Sequence, residues 1–338
     1  GAGYIGSHTC LALLSVGYEV IVLDSLINSN ELSLIKVKKI FQEMYSHLKN
    51  DLHFYEGDLN DFNFINNIFL GEIKKGFPIT GVIHFAGLKA VNESIRYPLK
   101  YWENNISTTI NLIKCMDKNN CRTIVFSSSA TIYESCDSKI IDERMNINPI
   151  NPYGNTKATI ENFLNDIYKS NSEWKISILR YFNPIGAHQS GLIGENPIGI
   201  PNNIFPLILH VATGKKESLK IYGNNWPTVD GTGVRDYIHV MDLAEGHLAA
   251  LDYLFSKKTK IISLNLGTGK GTSVLELIKM FEQINRVKIP FEFVGKRDGD
   301  LSKVVADNSL ARKTLNWRPK RSLEDMCRDG WKWQNLNP

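Results

Sequence analysis

Tyr153 and Lys157 stand four residues apart in the segment PYGNTK, and the run Ser127-Ser128-Ser129 lies upstream of them. Four residues is about one helical turn, so a phenol and an ammonium at these positions share a helix face. Pro152 suits the first turn of a helix, and Ile160, Phe163, Leu164 and Ile167 recur behind it at helical spacing. A phenol is a poor base at neutral pH. Lowering its pKa of ~10 by ~3 units needs about 4 kcal/mol of differential stabilisation. A fixed ammonium beside the phenol is a direct way to supply it. The spacing by itself is a weak signal. With 13 tyrosines in 338 residues the pattern occurs three times, as Tyr45/Lys49, Tyr153/Lys157 and Tyr253/Lys257, against about one chance match. Only Tyr153 follows a serine-rich strand end able to bring a hydroxyl beside it.

A base needs something to work on, and the chain opens on a phosphate-binding signature. GAGYIGSH sets Gly1, Gly3 and Gly6 in a G-x-G-x-x-G array that runs into the helical pattern Ile5, Cys10, Leu11, Leu14. YEVIVLD follows at 18–24, a short apolar strand ending in Asp24. Glycine loop, helix start and an acid about 20 residues on make the dinucleotide arrangement: backbone N–H groups hold pyrophosphate and the acid takes ribose hydroxyls. An acid here favours NAD over NADP, whose 2′-phosphate it would repel. A βαβ unit needs a strand ahead of the glycines, at the centre of the sheet. The chain is therefore expected to be truncated, lacking its first strand.

Strand and helix signals then alternate. HFYEGD at 53–58 reads as a strand ending in Asp58, and ITGVIHFAG at 79–87 as a buried parallel strand ending in Phe85-Ala86-Gly87. A long helix is expected over 92–118, followed by the serine-rich strand, the Tyr153 helix and the strand KISILRYFN at 175–183. Repeated alternation argues α/β class, a doubly wound parallel sheet with ligands at the carboxyl ends of its strands. After Asn183 the texture changes. Residues 186–203 are rich in Gly, Pro and Asn and read as a functional loop. GTGVRDYIHVMDLAEGHLAAL at 231–251 reads as a short strand feeding a helix, and IISLNLGTG at 261–269 as one more sheet strand. The expected division is a cofactor-binding Rossmann-type part over 1–182, to which about 234–268 returns, and a smaller mixed α/β substrate part over 183–338.

The net charge of +4 is small for this length and comes with no basic run suited to nucleic acid. No apolar run approaches the ~20 residues of a membrane span. The five cysteines, Cys10, Cys115, Cys121, Cys136 and Cys327, show no metal spacing and read as reduced thiols of an intracellular, cytoplasmic protein.

Taken in order, GAGYIGSHT, EGDL, HFAGLKAV, FSSSAT, PYGNTK, LRYFNPIGAH, GIPNN, DGTGVRDYIHVMDLA, NLGTG and the Arg297–Asp300 loop resemble the UDP-galactose 4-epimerase family of extended short-chain dehydrogenases/reductases, along the whole chain. The resemblance implies a retained NAD and reversible epimerisation at C4 of UDP-galactose and UDP-glucose through a 4-keto sugar. Tyr153 would be the base on the 4-hydroxyl. Lys157 would hold the nicotinamide ribose and depress the Tyr153 pKa, and Ser129 would bond the same sugar oxygen. The residues matching cofactor contacts are Gly3, Tyr4, Ile5, Gly6, Asp24, Ser25, Asn28, Ser29, Asp58, Leu59, Phe85, Ala86, Gly87, Lys89, Asn104, Ser127, Tyr153, Lys157 and Phe182. Those matching nucleotide-sugar contacts are Ser129, Asn183, Asn203, Ile204, Lys220, Tyr222, Arg235, Arg297, Asp300 and Val304. The family also implies a homodimer, with no metal.

Plainer readings stand beside these. Asn104 could be a satisfied interior amide, and Arg235 a structural ion pair with Asp236 or Asp242. His84 and His239 fit a core better than a catalytic role. The chain departs from the family pattern at Glu134, where glycine is usual. At Val304, members restricted to plain hexoses tend to carry a bulky tyrosine, so acceptance of N-acetylated UDP-sugars is expected. A nucleotide-sugar 4,6-dehydratase would need an acid pair after Thr131, where Ile132 and Tyr133 stand. The same fold would also serve a related nucleotide-sugar epimerase or decarboxylase, or a catalytically silent NAD-binding regulator. The intact Ser129–Tyr153–Lys157 set argues against the regulator.

Overall fold

The computed structural model describes residues 1–134, 140–199, 201, 203–257, 260–297 and 299–337. Cys136, Ile200 and Asn202 of the loop before 204, and Asp298 of the Arg297–Asp300 loop lie outside the described residues.

The first half alternates as its apolar patterning requires. Helix α1 (Tyr4–Leu14) leads to β1 (Val20–Asp24), α2 (Leu32–Met44), β2 (Leu52–Glu56), α3 (Phe62–Lys74) and β3 (Val82–His84). The helix expected over 92–118 is two helices, α4 (Val91–Arg96) and α5 (Pro98–Lys118). Pro98 has no N–H to continue α4, but it suits the first position of α5. Tyr97, with non-helical backbone, closes the one helix and opens the other. Strand β4 (Thr123–Ser129), the two-residue β5 (Ile140–Ile141), helix α6 (Pro152–Ser170) and β6 (Lys175–Tyr181) follow. Strand β3 is shorter than the expected 79–87, because the chain leaves the sheet at Phe85 and turns through Gly87 at φ +143°.

The second half contains β7 (Asn183–Ile185), α7 (Ile204–Ala212), β8 (Leu219–Tyr222), β9 (Val234–Arg235), β10 (Tyr237–His239) and α8 (Val240–Phe255). It continues with β11 (Lys260–Leu266), β12 (Thr272–Ser273), α9 (Val274–Asn285), β13 (Phe291–Val294), β14 (Lys303–Ala306), α10 (Ser309–Leu315) and α11 (Leu323–Leu336).

Four parallel strands form the main sheet in the order β11-β6-β4-β3, and β1 and β2 form a parallel pair. Among the described residues no backbone ladder joins the two groups. On either side of that break the order, β2-β1 and β3-β4-β6-β11, is that of a doubly wound sheet. Helices cover both faces. Val125 of β4 and Leu179 of β6 point into a core shared with α1, α2 and α8. Ile124, Phe126, Ile176 and Ile178 point the other way, into a core shared with α3, α5 and α6. Burial on both faces is why β4 carries an unbroken apolar run before its serines. The late strand β11 pairs with β6 and α8 packs on α1, so 237–266 folds back onto the first half.

A third core gathers Ile185, Phe205, Leu209, Ile221, Leu277, Phe281 and Trp333 from α7, α9, α11 and their strands. Small ladders join strands of this half to one another and to the first half: β10 pairs with β7, and β14 pairs with both β9 and β5. Cys10, Cys115, Cys121 and Cys327 are free and buried. Among the described residues no helix is long and apolar enough to cross a membrane, and no group of His, Cys, Asp and Glu is placed to hold a metal.

Candidate active site

Asn151 caps α6, its side chain accepting a hydrogen bond from the Gly154 N–H at 2.8 Å. That cap sets Tyr153 and Lys157 in the first two turns, both buried against the carboxyl end of β4. The Lys157 ammonium donates to the Ser127 carbonyl at 2.8 Å and lies 4.8 Å from the Phe126 ring centre and 5.9 Å from that of Tyr153. Ser129 is buried beside them. Its hydroxyl oxygen accepts from the Thr131 N–H and hydroxyl, leaving its own proton to donate. The Ser127 hydroxyl donates to the Tyr181 phenol at 2.9 Å. The two other Tyr-x-x-x-Lys matches form no such site. Helix α2 ends at Met44, before Tyr45, and the exposed Lys257 merely covers the Tyr253 ring.

Burial dominates the protonation balance of both groups. Burial, and next the nearby Tyr181, push the Tyr153 phenol up, while the Ser129 hydroxyl opposes them. Burial also pushes Lys157 down to about 8, opposed by the Glu161 carboxylate. The reason is physical: the ammonium has left water for aromatic faces and one carbonyl, so its own charged form is penalised.

Around the α1 N-terminus the glycines leave room for a ligand. Gly3 is the N-cap, with no side chain bonding the first-turn amides, and a Cβ added to it would meet nothing within 4 Å. At Gly6 a Cβ would stand 2.4 Å from the Gly1 carbonyl oxygen, so only glycine lets α1 start this close to the loop. Tyr4, Ile5 and Gly6 thus offer N–H groups at the positive end of a helix, which suits a pyrophosphate. Asp24 ends β1. Its carboxylate accepts from the Ala2 and Leu26 N–H groups and from the Ser29 hydroxyl at 2.7–3.0 Å. Ser25 is half-buried and Asn28 exposed on the same turn. Asp58 is exposed and caps a turn through the Asn60 N–H, with Leu59 buried behind it. These groups fit the adenosine end of NAD.

Phe85, Ala86 and Gly87 follow β3, with the Phe85 ring 4.8 Å from that of His247. Asn104 is only half-buried, whereas its neighbour Asn105 is the satisfied interior amide. Asn105 accepts from the Leu88 N–H at 2.7 Å and donates to the Leu88 carbonyl and the Thr156 hydroxyl. It ties the Gly87 turn to α6. Lys89 is exposed on that turn, and Phe182 is buried where β6 ends.

The expected nucleotide-sugar residues fall into neighbouring groups. Val304 pairs with Arg235 across β14–β9, and Arg235 forms an ion pair with Asp300, not with Asp236 or Asp242. Asp242 pairs with Arg321 instead. Buried Asp236 accepts from the Thr268, Gly269 and Ala306 N–H groups and pins the ladders beside Arg235. Asn183 joins this group through its N–H on the Asp236 carbonyl. Val304 also packs on the core holding Phe182 and Ala158, next to Lys157. A second group sets the Arg297 guanidinium 3.6 Å from the Tyr222 ring centre, with exposed Lys220 on the same strand. Exposed Asn203 and half-buried Ile204 open α7. His84 bonds Thr109 in the core, and His239 caps α8.

Sequence reasoning missed the buried pair beneath Tyr153 and Lys157. Glu161, one turn beyond Lys157, makes a bidentate pair with Arg180 of β6, at 2.6–3.2 Å, and accepts from the Ser128 hydroxyl at 2.5 Å. Arg180 also reaches the Tyr133 hydroxyl, which donates to Asn265 at 2.6 Å. The signal was available: an arginine inside the apolar strand KISILRY needs a buried partner.

The family described as GDP-mannose 4,6 dehydratase matches residues 1–330. The chain is 49% identical to the UDP-glucose 4-epimerase of Bacillus subtilis (strain 168), covering 100% of this chain and 96% of that one. It is 46% identical to that of Dictyostelium discoideum, covering 100% and 95%. Among solved structures it is similar to the UDP-glucose 4-epimerase from Stenotrophomonas maltophila with bound NAD and formylated UDP-arabinopyranose (TM-score 0.93, 42% identity, 99% and 96% covered). It is also similar to that from Bifidobacterium longum in complex with NAD+ and UDP (TM-score 0.91, 42% identity, 100% and 97% covered). At this identity over its whole length, the chain belongs to the UDP-glucose 4-epimerase family.

Proposed function

We propose that the protein interconverts UDP-glucose and UDP-galactose at C4 with tightly held NAD. The observation that carries this is the buried Ser129–Tyr153–Lys157 set at the carboxyl end of β4, in a chain 46–49% identical to epimerases over its whole length. NAD bound at the α1 N-terminus supplies the acceptor and donor of the C4 hydrogen. Tyr153 takes the 4-hydroxyl proton and returns it, and Ser129 holds the same oxygen in place. Lys157 orients the ribose and, once a cofactor shares its site, balances the developing phenolate. Arg235 and Arg297 pair with the diphosphate, which the guanidinium fork suits. Asp300 takes uridine hydroxyls, and Asn183, Asn203, Ile204, Lys220 and Tyr222 line the rest.

The test is UDP-galactose incubated with the protein and with Tyr153→Phe, followed by anomeric NMR. The parent should equilibrate the two sugars and the variant should lose at least ~100-fold in rate. No interconversion by the parent sinks the reading.

Three finer parts belong to the same proposal. The half-buried Val304 leaves space beside the sugar for N-acetylated UDP-hexoses. Residues 1–182 with 234–268 act as the cofactor half and the rest as the sugar half. Exposed Ile95, Tyr97, Leu99 and Trp102 on α4 and α5 support a homodimer through these helices in a cytoplasmic enzyme. Sedimentation that returns only monomer at micromolar concentration would remove the dimer.

A further inference from the structure

Helix α6 carries Tyr153 and Lys157, and strand β4 carries Ser127 and Ser129. How α6 docks on β4 therefore sets the separation of the phenol from the Ser129 hydroxyl. Side chains alternate along a strand. Phe126 packs with Ile160 and Leu164 of α6, and Ser128 faces the same way, while Ser127 turns to the other face and bonds Tyr181. Two buried hydrogen bonds fasten the helix to this strand. The Lys157 ammonium donates to the Ser127 carbonyl at 2.8 Å, and the Ser128 hydroxyl donates to Oε1 of Glu161 at 2.5 Å. Lys157 and Glu161 are one turn apart on α6, and their two partners are adjacent on β4. One bond would fix a distance. Two fix the rotation of the helix and its position along the strand.

Glu161 is itself held rigidly. It is 2% exposed and Arg180 of β6 is 5% exposed. The guanidinium covers both carboxylate oxygens, with Nε on Oε1 and Oε2 and Nη2 on Oε2, at 2.6–3.2 Å. Arg180 is fixed in turn by the Tyr133 hydroxyl and the Glu143 carbonyl. A buried ion pair is often no more stabilising than an apolar pair of similar volume. What the carboxylate supplies here, and an apolar residue could not, is a fixed acceptor for Ser128.

Resting on the epimerase reading above, we propose that Glu161 is a positioning residue for the reaction: through Ser128 it clamps the helix bearing Tyr153 and Lys157 to the strand bearing Ser129. The clamp holds the two hydroxyls where both can meet one sugar oxygen. Glu161 and Ser128 touch no ligand. Their effect is on placement, and a misplacement of about 1 Å among reacting groups costs about 100-fold in rate.

The experiment uses Ser128→Ala, which removes the clamp hydroxyl and leaves Arg180 on both oxygens of Glu161. The NAD-loaded parent and variant are compared by turnover of UDP-galactose, by UDP affinity in calorimetry, and by hydrogen exchange of the peptides 152–161 and 175–181. The variant should lose about tenfold in kcat, with KM, UDP affinity and NAD content within about twofold of the parent. Exchange in 152–161 should quicken at least about threefold while that in 175–181 stays as in the parent. Ser128→Thr keeps the hydroxyl and should retain most of the rate. The double variant Glu161→Leu with Arg180→Met removes the clamp without leaving a charge unpaired, and should turn over no faster than Ser128→Ala at the parent's KM. A Ser128→Ala kcat within twofold of the parent overturns the proposal. So does UDP affinity falling in step with kcat, which means general loosening. If Ser128→Ala fails to fold, the double variant decides, and a parent-like kcat in it overturns the clamp. A parent that binds UDP and leaves UDP-galactose unchanged fails at the epimerase reading, and exchange in 152–161 that Ser128→Ala leaves unchanged overturns the clamp on its own.

Discussion

Replacing Lys157 by methionine should make the cofactor-free protein more stable at neutral pH while abolishing turnover. The Lys157 side chain is 4% exposed, and its ammonium has one carbonyl partner and two aromatic faces in place of water. Burial brings its pKa from 10.5 down to about 8. That difference corresponds to roughly 3 kcal/mol of native-state cost while the lysine is charged. The sign follows from the protons. Below pH 8 both folded and unfolded chains are protonated and the full cost is present. Between 8 and 10.5 the unfolded chain holds a proton the folded one lacks, so stability rises with pH. Above 10.5 the cost is gone. Methionine keeps the apolar stem without the charge. Urea unfolding of cofactor-stripped protein should show the variant ahead by roughly 3 kcal/mol at pH 7, and by roughly 1 kcal/mol at pH 9.5. A variant less stable than the parent at pH 7, or a gap that does not shrink with pH, would refute the reasoning.

The Glu161–Arg180 pair predicts a second stability effect. Glu161→Leu leaves a buried guanidinium unpaired and should cost about 3–5 kcal/mol in urea unfolding, most of it recovered by adding Arg180→Met. A single variant losing under ~1 kcal/mol would mean the pair is not buried as described. Arg297→Ala removes an exposed cation stacked on Tyr222. The KM for UDP-galactose should rise about tenfold with kcat within about twofold, and a fall in kcat alone would argue against a binding role. Val304→Tyr should cut kcat/KM for UDP-N-acetylglucosamine at least ~10-fold more than for UDP-galactose. A parent that leaves the N-acetylated sugar untouched removes the premise.

The chemistry-bearing blocks were legible because local rules produce them. A glycine array before a helix, an acid after a short strand, and a tyrosine one turn from a lysine each have meaning within a few residues. The alternation of strands and helices was legible for the same reason. The break between α4 and α5 was legible too, since Pro98 is visible in the sequence. Reading 92–118 as one helix overlooked the fact that proline cannot continue the helix before it.

Residue types at the site, and the class of sheet that presents them, follow from the linear chain, because periodicity and backbone chemistry act over short range. Which groups pair across long distances follows only from the folded molecule. Arg235 could meet Asp236, Asp242 or Asp300, and the β9–β14 ladder selects Asp300. Asn104 and Asn105 are neighbours in sequence, yet the face of α5 makes Asn105 the buried one. The charge state of Tyr153 and Lys157 also depends on burial, which no spacing reports. A Tyr-x-x-x-Lys motif places an ammonium beside a phenol, but the surrounding core sets how far each group is pushed from its ordinary pKa.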